Sequence, residues 1–271
     1  MMKRKQKKAD VITAALYVIF GLIVAAALFG LVMLGRTLLG SVLGNAYYAN
    51  LAEDARTEDT VDFPALTAEN PQIKAWVKLE GTAIDLPIVQ SSDNSFYLTR
   101  RFDGKKNKLG TPFIDAANTG DFSDRHTVIY GHAVKSGAMF GSFWEYENPN
   151  YYKRNPELTL YLPGGTQYTL SIFACSRVDA VRSAVPVSFS SENAFLAFID
   201  ELHELSAFTS NVPITADDRI VSFCVSLPDN DEKLLLVSCK IADPGAATTL
   251  SDGTSITIGE TTTQPGEETG N

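Results

Sequence analysis

A chain of 271 residues holds one good-sized domain with appendages, and 45% hydrophobic residues supply a sizeable core, which excludes wholesale disorder. Five bases (Lys3, Arg4, Lys5, Lys7 and Lys8) and Asp10 precede a run without charge, so residues 36–271 carry 18 bases against 31 acids, a net of −13. That acidity excludes nucleic acid as a partner, because phosphate binding needs a basic footprint.

The uncharged run, Val11 to Gly35, is 25 residues rich in Ala, Leu, Val, Ile and Phe. At ~1.5 Å per residue it reaches ~37 Å, enough to cross a ~30 Å hydrocarbon core with some tilt. A cleaved signal peptide would have an apolar region of ~7–15 residues and a small-residue cleavage site after it. The reading is a retained transmembrane helix over 11–35. The basic segment 1–10 then stays in the cytoplasm, and everything after Arg36 lies outside the cell, at the membrane.

Residues 36–68 read as a helical stalk stopped by Pro64. From Asn70 the pattern changes to short strand-like runs: Ile73–Leu79, Ala83–Val89, Thr127–Tyr130, Leu158–Leu162, Tyr168–Val178, Arg219–Ser226 and Lys233–Ile241. Pro, Gly, Asn and Asp punctuate the gaps. Glu192–Leu205 places Phe195, Phe198, Ile199 and Leu202 on one helical face, with Ser190 or Ser191 as N-cap, and Met139–Tyr146 is a candidate shorter helix. Many short strands with few helices predict a mostly β domain over 69–243, a closed barrel or nearly so. Residues 244–271 have no aromatic and no basic side chain and read as a disordered, acidic, Thr-rich tail.

Three cysteines are an odd number for an exported chain, so at least one is free or pairs between chains. Cys175 and Cys239 lie inside apolar strands, where a thiol serves as a small hydrophobe; a disulfide between them is the alternative. Cys224 comes near a strand end beside the loop Leu227–Asp231, where substrate can reach it. Of the histidines, His126 sits in a polar turn and reads as a surface residue, and His203 as the solvent edge of a helix. His132 follows Val128-Ile129-Tyr130-Gly131, just past a buried strand, a place that suits either a structural histidine or a reactive one.

The segment Thr127-Val-Ile-Tyr-Gly-His132 through Phe140-Gly141 resembles the catalytic-histidine segment of class B sortases. Asn70-Pro through Trp76, Gly81 through Gln90 and Asp93-Asn-Ser-Phe-Tyr-Leu98 are similar to that family too, and Ile220-Val-Ser-Phe-Cys224 resembles the strand that presents its cysteine. The resemblance covers residues 68–242, in order. It implies a sortase-like closed barrel of about eight strands, with Cys224 and His132 as catalytic residues. The family's third catalytic residue is an Arg opening the next strand, and Lys233 stands there, nine positions beyond Cys224. Shifting the match by two residues would set Ser226 at the family's cysteine and imply an inactive protein. The register through Cys224 is the expectation, since it aligns both the thiol and the basic residue without a gap.

The resemblance further implies a cysteine transpeptidase that needs no cofactor or metal. Cys224 would attack a backbone carbonyl in the C-terminal sorting signal of a secreted protein, and the thioester would pass to an amine of peptidoglycan or a pilin. The alternative is a catalytically impaired sortase fold that binds secreted substrates, with Lys233 in place of the Arg.

Overall fold

The computed structural model describes residues 2–57, 60–179, 185–226 and 233–242, and shows the side chains of these except at 2–15, 18, 36–39 and 41. Eight strands close into one barrel: β1 (Ile73–Lys78), β2 (Asp85–Val89), β3 (Phe113–Ile114), β4 (His126–Gly131), β5 (Glu157–Tyr161), β6 (Gln167–Asp179), β7 (Ile220–Ser226) and β8 (Lys233–Ala242). Their order around the barrel is β1-β2-β3-β4-β7-β8-β6-β5. All seven expected strands are present. The eighth, β3, is only two residues long, too short for an alternating pattern to betray it. The helix considered over Met139–Tyr146 is a 3-10 turn at Gly141–Glu147, followed by α3 (Pro149–Arg154).

Alternation divides the central strands between two cores. Val221, Phe223 and Val225 of β7 and Leu235, Val237 and Cys239 of β8 point into the barrel. Ile220 and Cys224 of β7, Val128 of β4 and Leu236 of β8 point outward, beneath the helix Glu192–Glu204. Its buried Phe195, Ile199 and Leu202 recur at the helical period, and Ser191 caps it by accepting from Ala194 N. That helix covers part of the outer face of the sheet. The last rung, at Ser226, is exposed.

His126 corrects an expectation. It is fully buried under that roof, with Nδ1 2.6 Å from Pro186 O and Nε2 2.9 Å from Ser222 Oγ. The polar turn before it hides that His126 already belongs to β4. Cys175 and Cys239 are free and buried, as expected of core thiols.

At the N-terminus one helix, α1 (Met2–Ala55), takes in the expected span and most of the expected stalk. Its last turns are not a free stalk: Tyr48, Leu51 and Ala55 are buried in the barrel's main core. Tyr48 Oη reaches Gly110 O at 2.5 Å and Thr111 Oγ1 at 2.9 Å. Pro64 starts a helix instead of ending one, in the first turn of α2 (Phe63–Glu69). Apolar side chains from Leu16 to Leu34 stand 40–73% exposed along α1. Among the described residues, however, no helix is long and apolar enough to cross a membrane, so the helix is present over 11–35 while the expected span is unsupported. The expected tail, 244–271, lies outside the described residues.

Candidate active site

β4 and β7 run parallel, with Tyr130 opposite Cys224 and Gly131 opposite Val225. His132 is the next residue, just past the last pair of that ladder. Gly131 is required there because a Cβ on it would come within 2.4 Å of the Phe140 ring. Phe140 N returns a hydrogen bond to His132 O, 3.0 Å, which holds the backbone at His132 against the turn after it.

The imidazole is oriented from the other side. His132 Nε2 lies 2.8 Å from Leu98 O, a carbonyl that can only accept, so Nε2 carries hydrogen and Nδ1 is left to take or give a proton. Leu98 belongs to a 3-10 turn over Phe96–Thr99, set by Asp93, whose Oδ1 accepts from Ser95 N and Phe96 N at 2.7 and 2.8 Å. The same segment supplies Asn94, which donates to Asp115 Oδ2 at 2.9 Å, and Tyr130 Oη donates to that oxygen at 3.0 Å. Burial and the Asp115 carboxylate push the Tyr130 phenol up, so it stays protonated. Asp115 thus ties the Asp93–Leu98 segment to the end of β4. Sequence reasoning missed it, although the matched segment Asp93–Leu98 pointed to its surroundings.

Cys224 shares His132's face of the sheet, on the neighbouring strand and one rung deeper. It is 3% exposed, packed with Val128 and Leu236 beneath the helical roof, and its thiol has no hydrogen-bond partner among the described residues. That burial pushes the thiol up to about 12. Ser226, two residues on, is exposed. Its carbonyl accepts from Trp144 Nε1 at 3.2 Å, which fixes the end of the strand.

Lys233 is not brought to the face of His132. It lies opposite Asp179 of β6, and its Nζ pairs with Asp179 Oδ1 at 3.0 Å. By alternation it shares the side of Leu235 and Val237, which point into the barrel. The residue of β8 that lies opposite Ser226 is Leu234. Of the three expected site residues, His132 and Cys224 thus share one face, one rung apart, and Lys233 is turned away. His203, on the roofing helix, packs at 5.4 Å on Phe173 and takes no part. Among the described residues no three His, Cys, Asp or Glu side chains are grouped to hold a metal ion.

No protein-family model matches the chain. It is 30% identical over 174 residues to the sortase B of Listeria monocytogenes serovar 1/2a, a match spanning 64% of this chain and 70% of that one. The chain belongs to the sortase B family. It is also 27% identical over 181 residues to the sortase B of Staphylococcus aureus, covering 66% and 74% of the two chains. The crystal structure of Clostridium perfringens sortase B is 30% identical, with a TM-score of 0.63 over 66% of this chain and 99% of that one. A Bacillus anthracis sortase B structure is 28% identical, with a TM-score of 0.64 over 73% and 93%. The resemblance read from His132 and its flanks is borne out: this is a class B-like sortase, of the cysteine-transpeptidase type.

Proposed function

We propose that the chain takes the sorting signals of secreted proteins at the rim where β4 and β7 end, and joins them to an amine of the cell wall or of a pilin. The observation that carries this reading is His132, held by Leu98 at the open end of β4 in a member of this family. A thiolate attacks a backbone carbonyl carbon of the signal, and the C–N bond breaks. Protonated His132 gives its proton to the leaving amine, and a thioester remains. The incoming amine, deprotonated by His132, attacks the thioester carbon and expels the thiolate. Cys224 is the thiol on the face of His132, and for it to react the rim must open one rung. Lys233 would have to leave Asp179 to steady the oxyanion.

The test uses the full chain in detergent with peptides from the C-terminal segments of the same organism's secreted proteins. Intact mass should show an acyl adduct that an added amine releases, and His132→Ala should abolish it. Peptides that neither bind nor react would sink the reading. A second reading, a sortase fold that holds its substrates with little turnover, is favoured by the burial of Cys224. A thiol pushed up to about 12 is ionised in only ~1 molecule in 30,000 at pH 7.5. Its mark is a bound peptide without an adduct.

We further propose that residues 11–35 anchor the chain in the cell membrane, with the barrel outside. The basic N-terminal segment, the uncharged run and the exposed apolar side chains from Leu16 to Leu34 support this. After cell fractionation the full chain should resist alkaline extraction from membranes, and protease added to protoplasts should remove the barrel. A freely extractable chain would contradict the anchor.

A further inference from the structure

We infer that Asp115 is a positioning residue for the transfer reaction, one that acts through Asn94 and Tyr130 to fix the orientation of the His132 ring. What His132 acts on is taken from the sorting-signal reading above. Three observations carry the role of Asp115.

The first is where the carboxylate stands. Asp115 directly follows β3, and its N–H donates to Val128 O of β4 at 2.9 Å, so its backbone is fixed between two strands. The residue is buried, and among the described residues no Lys, Arg or His forms an ion pair with it. A buried carboxylate without a cation costs more desolvation than a neutral side chain in its place, so stability alone does not account for it. The second is its partners. Oδ2 accepts from Asn94 Nδ2 at 2.9 Å and Tyr130 Oη at 3.0 Å, and Oδ1 accepts from Ala117 N at 2.8 Å. All three donate, which suits two carboxylate oxygens; an amide would turn an N–H towards either Asn94 Nδ2 or Ala117 N. The third is where its arms lead. Asn94 is clasped twice, since its Oδ1 accepts from Ala116 N at 2.8 Å, and it lies four residues before Leu98, whose carbonyl takes His132 Nε2–H. Tyr130 is two residues before His132 on β4 and stands opposite Cys224.

With Nε2–H committed to Leu98 O, the protonated ring gives the Nδ1 proton to the leaving amine, and the neutral ring takes a proton back at Nδ1 from the incoming one. If the segment Asp93–Leu98 loosens, the neutral ring is free to turn or to carry its hydrogen on Nδ1, where it can no longer accept. A displacement of about 1 Å at a reacting group can slow a reaction ~100-fold. The loss falls on transfer, because Asp115 itself is buried and does not meet the signal.

Nitrogen NMR of the full chain in detergent at pH 8 tests this, with the His132 ring signals identified by their loss in His132→Ala. The wild type should show one neutral tautomer, with hydrogen on Nε2. Asp115→Asn should give a mixture of tautomers, and so should Asn94→Asp, which sets a second carboxylate against Asp115 from an exposed position and decides the matter if Asp115→Asn fails to fold. With the C-terminal peptides described above and an added amine, both variants should lose ~10–100-fold in kcat while KM stays within about 3-fold. Ring signals and kcat like those of the wild type in the folded variants, even with a lowered melting temperature, would overturn the inference and leave Asp115 a purely structural residue. If no peptide acylates the wild type, the sorting-signal reading fails, and the ring signals still decide whether Asp115 orients His132.

Discussion

One step along β7 carries a side chain through the sheet, and two steps return it to the same face one rung on. Cys224 and Ser226 differ by those two steps, so alternation alone cannot choose between them. His132 was legible because its signals are local: a buried strand, a glycine and a turn. The place of Cys224 opposite Tyr130 was not, because it is set by the ladder between β4 and β7, strands far apart in sequence. A gap-free match to a basic residue favoured Cys224, and that basic residue, Lys233, pairs with Asp179. If Cys224 is a core residue, Cys224→Ala should cost no more than about 1.5 kcal/mol. Cys224→Ser should cost more, about 1–3 kcal/mol, since it buries a hydroxyl without a partner. Denaturant titration of the two variants checks the order.

His126 makes a second residue-level prediction. Burial lowers its pKa from 6.5 to about 4, so the folded state holds it neutral where the unfolded chain would protonate it. Its contribution is fully present above pH 6.5 and is lost as pH falls towards 4, to a total of about 3 kcal/mol. Denaturation midpoints at pH 7 and pH 4.5 should differ accordingly, and His126→Gln should flatten part of the difference. A midpoint independent of pH in the wild type would contradict the buried neutral imidazole.

At the scale of elements, the strands were legible where alternation ran for five residues or more. What escaped was set by contacts from elsewhere. β3 exists because Phe113 and Ile114 pair with Tyr130 and Ile129, and the end of α1 packs because Tyr48 finds a carbonyl and a hydroxyl near β3. Tyr48→Phe leaves Gly110 O without that donor and should cost about 1 kcal/mol, read as a lower melting temperature. Gly131→Ala sets a methyl group 2.4 Å from the Phe140 ring. Overpacking of that kind costs about 1–3 kcal/mol, and it should also displace His132 and weaken peptide binding.

At the scale of the whole molecule, a closed barrel and one roofing helix decide which face is core and which is site. The helix Glu192–Glu204 packs in one cluster with Val128 of β4, Cys224 of β7 and Leu236 of β8, while His132 is partly exposed at the end of β4. The site thus lies where a buried face reaches the end of β4 and β7. The most direct measurement is acyl transfer by the full chain, followed by intact mass with the C-terminal peptides and an added amine. The acyl group should map to Cys224, leave when the amine is added, and be absent from Cys224→Ala and from His132→Ala. An adduct that still forms on Cys224→Ala would contradict it.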